Sequence, residues 1–109
     1  MKVLVTGAAG FIGGQLWHTL WQRGDEVVGI DNLSYGKLDN LKFDDHDFGP
    51  EVRRMDIRDR EALPKLFEEE KFDVVYNIAG IAPLPDCQSD PVQAVEVNTM
   101  GLVHVLECA

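Results

Sequence analysis

Three glycines near the amino terminus are spaced in a way that suits the binding of a diphosphate. Gly7, Gly10 and Gly13 follow one another at three-residue intervals, between an apolar β-branched run and an amphipathic stretch. Binding a diphosphate requires a sharp turn, a backbone that comes close to the phosphates, and free helix N–H groups that point at the anion. Glycine permits the turn and the close approach, and a helix that begins at Phe11 supplies the N–H groups. The spacing therefore predicts a phosphate-binding strand–turn–helix unit.

A carboxylate in the right place favours one dinucleotide over another. Asp31 directly follows the second apolar run, and no lysine or arginine lies between it and Lys37. In a doubly wound sheet the end of that strand lies beside the first turn, where a carboxylate accepts hydrogen bonds from both ribose hydroxyls and repels a 2′-phosphate. The cofactor predicted from the two motifs is therefore NAD rather than NADP. The alternative is that Asp31 only opens a turn.

Strand-like and helix-like segments alternate along the chain, as the two motifs require. This alternation predicts an α/β fold of the Rossmann type, a doubly wound parallel sheet with helices on both faces. We expect about four strands, in spatial order 3-2-1-4, at residues 2–6, 26–30, 51–55 and 72–78. The last of these is a continuous apolar run, which is typical of a strand covered on both faces.

The first helix is expected over residues 11–23, with a predicted core face of Ile12, Leu16 and Leu20 that Trp17 and Trp21 widen.

The other connections are predicted from capping and breaking residues. Residues 32–50 are expected to form a long loop with one weak helical turn, and residues 79–89 a second loop. Asp59 is a candidate cap for the next helix. Because a proline beyond the first turn removes a backbone hydrogen bond, Pro64 requires that this helix begin later than Asp59 or that its first turn be distorted. Asp90 is the predicted cap of a last helix that stays apolar to the end of the sequence.

Composition excludes several classes of function. The chain has 109 residues, a net charge of −9 and 45% apolar residues, as expected for one globular domain. An acidic surface repels phosphate backbones, so a nucleic-acid partner is not expected. Charges interrupt each apolar stretch well before the ~18–20 residues of a membrane span. Cys87 and Cys108 form no disulfide framework, and the histidines have no metal-site spacing, which favours a cytoplasmic protein without a metal.

Five motifs in order resemble the extended short-chain dehydrogenases/reductases, and among them the NAD-dependent nucleotide-sugar epimerases (isomerases) and dehydratases (lyases). The resemblance covers essentially the whole chain. The motifs are Thr6-Gly7-Ala8-Ala9-Gly10-Phe11-Ile12-Gly13, Asp31-Asn32-Leu33-Ser34, Asp56-Ile57-Arg58-Asp59, Asn77-Ile78-Ala79-Gly80 and Val97-Asn98-Thr99-Met100-Gly101.

The resemblance implies a role in NAD binding for each matched position. By this resemblance, the diphosphate would be held by Gly7, Gly10, Phe11, Ile12 and Gly13, and the adenosine ribose by Asp31, Asn32, Ser34 and Gly36. The adenine would contact Asp56 and Ile57, and the ribose and nicotinamide side of the cofactor would contact Ala79, Gly80 and Ile81. Asn98 would lie on a helix near the cofactor. Two of these have a plain alternative: Asp56 could merely end a strand, and Asn98 could be a solvated helix position.

One feature of the family is missing from the sequence. The resemblance implies a Tyr-x-x-x-Lys pair for proton transfer, but Tyr35 is followed four residues later by Asp39, and Tyr76 by Gly80. We therefore expect residues 1–109 to be the NAD-binding part of a larger enzyme, without its substrate domain and non-catalytic alone. A nucleotide sugar is then a partner of the full-length enzyme only. The alternative is a module without enzymatic activity that either binds a nucleotide by itself or completes its sheet by pairing with another chain.

The fourth strand carries a further expectation. Without a following neighbour it becomes an apolar edge strand, which favours pairing with another molecule. We expect self-association through this edge.

Overall fold

The structure is a computed structural model that describes residues 1–80 and 84–109. Its centre is a parallel sheet in the order β3-β2-β1-β4. The strands are β1 (Lys2–Thr6), β2 (Glu26–Asp31), β3 (Arg53–Arg54) and β4 (Val74–Asn77). The predicted fold class and strand order are confirmed, although β3 and β4 are shorter than the predicted ranges 51–55 and 72–78.

Helices connect the strands and cover the sheet. They are α1 (Phe11–Gln22), α2 (Ala62–Glu70), α3 (Leu84–Ser89), and α4 (Pro91–Val95), which continues through a π-helical segment (Glu96–Gly101) into α5 (Leu102–Cys108). The prediction of a loop over residues 79–89 was wrong for the part that forms α3. Pro85 lies in the first turn of α3, where the missing N–H of proline leaves no helical hydrogen bond unmade.

The core face of α1 differs from the predicted one. Its buried residues are Gly13, Gly14, Trp17 and Leu20. Ile12 is 67% exposed and Trp21 is 37% exposed, so neither belongs to the core as predicted. The face is rotated because Trp17 packs on Gly29 of β2, where a Cβ would overlap the indole ring. Glycines at a close contact do not register in a hydrophobic pattern, which explains the error.

The segment between β2 and β3 is packed, not an open loop. It contains two short 3₁₀ turns (Leu38–Leu41 and Gly49–Glu51) where one helical turn was predicted. The side chains of Leu41 and Phe48 are completely buried. The Phe48 ring lies 5.0 Å from the Trp17 ring, centroid to centroid, so the segment extends the core over α1.

The side chains of both predicted caps accept hydrogen bonds at helix starts, although the residue that directly precedes α2 is Glu61. An oxygen of Asp59 accepts hydrogen bonds from the N–H groups of Glu61 and Ala62, each at 3.0 Å, and α2 begins only at Ala62. Of the two predicted alternatives, the later start is correct. Asp90 accepts from the Gln93 N–H at 3.0 Å.

β4 is not covered on both faces, contrary to the prediction. Its residues are half-buried or exposed, and Tyr76 is 36% exposed. In the part of the chain that the structure describes, β4 lies at one edge of the sheet, next to β1.

Candidate functional site

The carboxyl ends of the strands open into a cleft of about 680 Å³. Every residue predicted to bind the cofactor lines this cleft, except Ile81 and Asn98. Ile81 lies outside the described residues. Asn98 is on the π-helical segment and lies beside Gly80, which lines the cleft. If Gly80 had a Cβ, that atom would be 3.1 Å from Asn98 Oδ1. The structure thus brings residues from across the sequence to one edge of the sheet.

Two of the three glycines are required by the packing of the turn itself. Gly7 has a φ of +67°, and a Cβ on it would lie 2.7 Å from the Ala79 nitrogen. A Cβ on Gly13 would overlap the Gly7 carbonyl oxygen. Both glycines therefore allow α1 and the segment after β4 to lie close against the turn.

Gly10 is different, because neither a left-handed backbone nor a severe overlap requires a glycine there. Its backbone is extended, with φ −76° and ψ 170°, and a Cβ would meet only the Gly7 oxygen, at 3.3 Å. Gly10 lines the cleft directly before α1, whose first N–H groups have no helical partner. An open backbone beside unpaired N–H groups fits an anionic ligand that approaches closely.

The Asp31 carboxylate ties the end of β2 to the glycine turn. It is 8% exposed; its Oδ2 accepts from the Ala9 N–H at 2.9 Å and its Oδ1 from the Leu33 N–H at 2.6 Å. Each oxygen keeps a second lone pair, and Asp31 lines the cleft. The carboxylate therefore has a structural role that the sequence did not reveal, in addition to acceptor positions for a ligand.

Thr6 positions the loop after β4. Its hydroxyl donates to Asn77 Oδ1 at 2.6 Å and accepts from the Ala79 N–H at 3.1 Å. This bridge between the ends of β1 and β4 holds Ala79 and Gly80 beside Gly7, as the shared lining of the cleft shows. Thr6 itself was not predicted as a site residue.

At the end of β3, Asp56 is held by Arg58 and Asn32. The Arg58 guanidinium binds the carboxylate through Nη2 at 2.7 Å and Nε at 3.0 Å, and Asn32 Nδ2 donates to it at 3.0 Å. These bonds, the Arg58 pair foremost, lower the pKa of Asp56 to about 2. Arg58 also lies 3.5 Å from Glu96. Asp56 is therefore ionised at neutral pH.

Among the described residues, seven that line the cleft were not predicted. They are Ile30, Tyr35, Met55, Arg58, Ile78, Gln93 and Val97. Ile30, Met55 and Ile78 each directly precede or follow a predicted site residue at a strand end, so strand geometry could have found them. Tyr35 and Gln93 lie on irregular or helical segments, for which the sequence holds no such signal.

Within the described ranges, no cluster of histidine, cysteine, aspartate or glutamate side chains is arranged to hold a metal ion. The same ranges contain no helix that is long and apolar enough to cross a membrane.

The fold and the cleft together define a Rossmann-type dinucleotide-binding unit. A family model described as the NAD dependent epimerase/dehydratase family matches residues 3–109, and the chain belongs to this family. The membership confirms both the resemblance seen in the sequence and NAD as the predicted cofactor.

The similar proteins are several times longer than this chain. The UDP-glucose 4-epimerase of Mycolicibacterium smegmatis is 38% identical over 109 residues, which are 100% of this chain and 34% of that protein. The crystal structure of the Thermus thermophilus UDP-glucose 4-epimerase in complex with NAD is 39% identical, with a TM-score of 0.85 over 99% of this chain and 33% of that one. Pal from Bacillus thuringiensis is 35% identical, with a TM-score of 0.91 and coverages of 99% and 35%. The chain therefore spans about a third of the length of these relatives.

Proposed function

We propose that this chain is the NAD(H)-binding portion of a nucleotide-sugar epimerase or dehydratase. The observation that carries the proposal is the open backbone at Gly10, which faces the cleft beside the unpaired N–H groups of α1. These groups would hold the diphosphate, because the positive end of the helix dipole lies there. When bound, NAD supplies a hydride acceptor for the oxidation of a sugar hydroxyl.

The remaining residues of the cleft would set which dinucleotide binds. Asp31 keeps acceptor positions for the ribose hydroxyls, and its buried charge disfavours a 2′-phosphate. The basic side chain among the described lining residues, Arg58, is already paired with Asp56. The cleft therefore supports NAD over NADP. Asp56 would recognise the adenine through its carboxylate.

The nucleotide sugar and the chemistry belong to the proposal for a full-length protein. Relatives named UDP-glucose 4-epimerase support a nucleotide-sugar substrate. Neither Tyr35 nor Tyr76 is followed by the family's lysine, so the 109 residues alone would bind the cofactor without turning a substrate over. A cytoplasmic location is also part of the proposal, since the two cysteines favour a reducing compartment.

Calorimetric titration of NAD against wild type and Gly10→Val tests the proposal. The extended backbone of Gly10 is one that valine adopts readily, so the variant should fold while its side chain narrows the phosphate site. We expect Kd to rise at least about tenfold. Thr19→Val, on the exposed side of the same helix, is the matched control and should bind as wild type does. Equal heats from wild type and Gly10→Val would overturn the proposal.

A further inference from the structure

The peptide unit between Ala9 and Gly10, inside the glycine turn, is held from both sides. Its N–H, which belongs to Gly10, donates to the Gly7 carbonyl oxygen at 3.1 Å. Its carbonyl oxygen, which belongs to Ala9, accepts from the Lys37 main-chain N–H and from Asn40 Nδ2, each at 2.9 Å. Because the carbonyl and the N–H of a trans peptide point in opposite directions, these bonds set one orientation for the whole unit.

This orientation turns the Ala9 carbonyl away from the cleft. Gly10 lines the cleft, but neither Ala9 nor the two residues that bind its oxygen belong to the described lining. The negative end of the carbonyl dipole therefore points at the segment between β2 and β3, and not at the place that a diphosphate would take. A peptide unit in the opposite orientation would direct an oxygen atom at that anion and weaken its binding.

The Ala9 carbonyl also has a competing donor in α1. In an α-helix each N–H bonds the carbonyl four residues earlier, and for Gly13 that carbonyl belongs to Ala9. Among the described residues this bond is not made, and Gly10 is extended, with ψ 170°, and not helical. The two donors that hold the Ala9 oxygen therefore oppose an extension of the helix back over Gly10, and the N–H of Gly13, a lining residue, stays available to a phosphate.

We infer that Asn40 is a positioning residue for the diphosphate site, and this inference rests on the proposed function. Lys37 contributes a main-chain N–H that most residues could supply, whereas Asn40 contributes its side-chain amide. The backbone of Asn40 is itself close to α1, since a Cβ on Gly14 would lie 2.8 Å from the Asn40 carbonyl oxygen. Asn40 thus acts on the phosphates through the Ala9 carbonyl, without lining the cleft.

Calorimetric titration of NAD against wild type and Asn40→Leu tests the inference. Leucine has nearly the shape of asparagine but has no hydrogen-bond donor. We expect Kd to rise about fivefold, because the turn loses one neutral hydrogen bond that orients it. Asp39→Leu is the matched control, since Asp39 is exposed on the same 3₁₀ turn and the loss of its negative charge does not disfavour an anion. Its Kd should be no higher than that of wild type.

Hydrogen exchange at the Gly13 amide separates positioning from a general loss of stability. In Asn40→Leu one lone pair of the Ala9 oxygen becomes free and can accept from the Gly13 N–H. The Gly13 amide should therefore exchange more slowly than in wild type, as measured by NMR, whereas a merely loosened turn would make it exchange faster. An unchanged Kd, or a raised Kd without slower exchange at Gly13, would overturn the inference.

A second variant covers the case in which Asn40→Leu does not fold. Asn40→Ser is smaller, and its hydroxyl lies too close to the backbone to reach the Ala9 oxygen, so the same two results are expected. If neither variant folds, Asn40 serves the fold and not the site, which contradicts the inference. A wild type that does not bind NAD removes the proposed function as well, whereas variants that bind NAD as tightly as wild type remove the inference alone.

Discussion

Asp31 combines two roles in one carboxylate, because the oxygen atoms that line the cleft also hold the backbone of the glycine turn. Asp31→Ala would remove acceptors from the buried N–H groups of Ala9 and Leu33, so the turn would loosen together with any loss of ribose contacts. Asp31→Asn would direct an amide donor at one of the same N–H groups. Gly10→Val is therefore the cleaner probe of cofactor binding, because Gly10 makes its hydrogen bonds through its backbone, which the variant keeps.

The ion pair of Asp56 and Arg58 predicts a pH-dependent stability. The pKa of Asp56 is lowered to about 2 from an ordinary value of 3.8, chiefly by the Arg58 guanidinium. A depressed pKa contributes stability that is fully present above the ordinary value and is lost as the pH falls toward 2. We expect Arg58→Met to be less stable than wild type above pH 4, with the difference shrinking between pH 4 and pH 2, as measured by urea unfolding.

Arg60→Met is the matched control for that experiment, because Arg60 lies two residues away and is exposed. Other carboxylates titrate in the same range, but they do so equally in the variants and in wild type. A stability difference for Arg58→Met that stays constant down to pH 2 would contradict the linkage to Asp56.

Among the elements, the segment between β2 and β3 is held against α1 at several points. His18 Nε2 and Asp45 Oδ1 are 2.7 Å apart, and the ring of Trp21 stacks on that of His46 with centroids 4.8 Å apart. The ring of His18 stacks on Phe43 with centroids 3.9 Å apart. Because Ser34, Tyr35 and Gly36 begin this segment and line the cleft, its packing also shapes the ribose end of the candidate site.

Phe48→Ala tests how much this packing contributes. The side chain is completely buried between the segment and α1, so its loss should lower the free energy of unfolding by about 3–5 kcal/mol. Leu38→Ala, at a residue that is 46% exposed in the same segment, should cost less than about 1 kcal/mol. Denaturant unfolding of both variants measures the two values. Comparable losses would mean that the segment is not part of the core.

The same elements show how far the sequence could be used to predict the fold and the site. Strands and their order were predictable, because apolar runs alternate with amphipathic ones and parallel crossovers allow few arrangements. The burial of Phe48 and the contact of Trp17 with Gly29 depend on which elements meet in space, which no local pattern contains. The three glycines and Asp31 were predictable from their spacing and from a strand end, and the other predicted site residues from the resemblance that the motifs carry. The Arg58 pair was not predictable, because it depends on how a turn folds back.

For the whole molecule, the net charge of −9 must be reconciled with a site for an anion. The two carboxylates that line the cleft are each satisfied locally, Asp31 by backbone N–H groups and Asp56 by Arg58. Their fields at the phosphate site are thereby weakened, whereas the N–H groups at the start of α1 remain available. The charges of solvent-exposed acidic side chains are screened by salt.

The two edges of the described sheet differ in their protection against pairing. β3 has two residues, Arg53 and Arg54, both exposed and positively charged. β4 is longer and apolar, and exposed apolar side chains of the helices near the end of the chain include Val92, Val95 and Leu106. Charged and short edges resist pairing with other chains, whereas long apolar edges favour it. Any contact between copies of the chain is therefore expected at β4.

We predict that the 109-residue chain self-associates through this edge, and that Tyr76→Lys weakens the association, because lysine on an edge strand must keep its ammonium group hydrated. Light scattering over a dilution series should show the mean mass of wild type falling with dilution, with the variant dissociating at a higher concentration. Thr19→Lys adds the same charge on α1, away from β4, and should behave as wild type does. A wild-type chain that is monomeric at every concentration would contradict the prediction. Equal weakening by both lysines would instead assign the effect to net charge, because only a contact at β4 distinguishes residue 76 from residue 19.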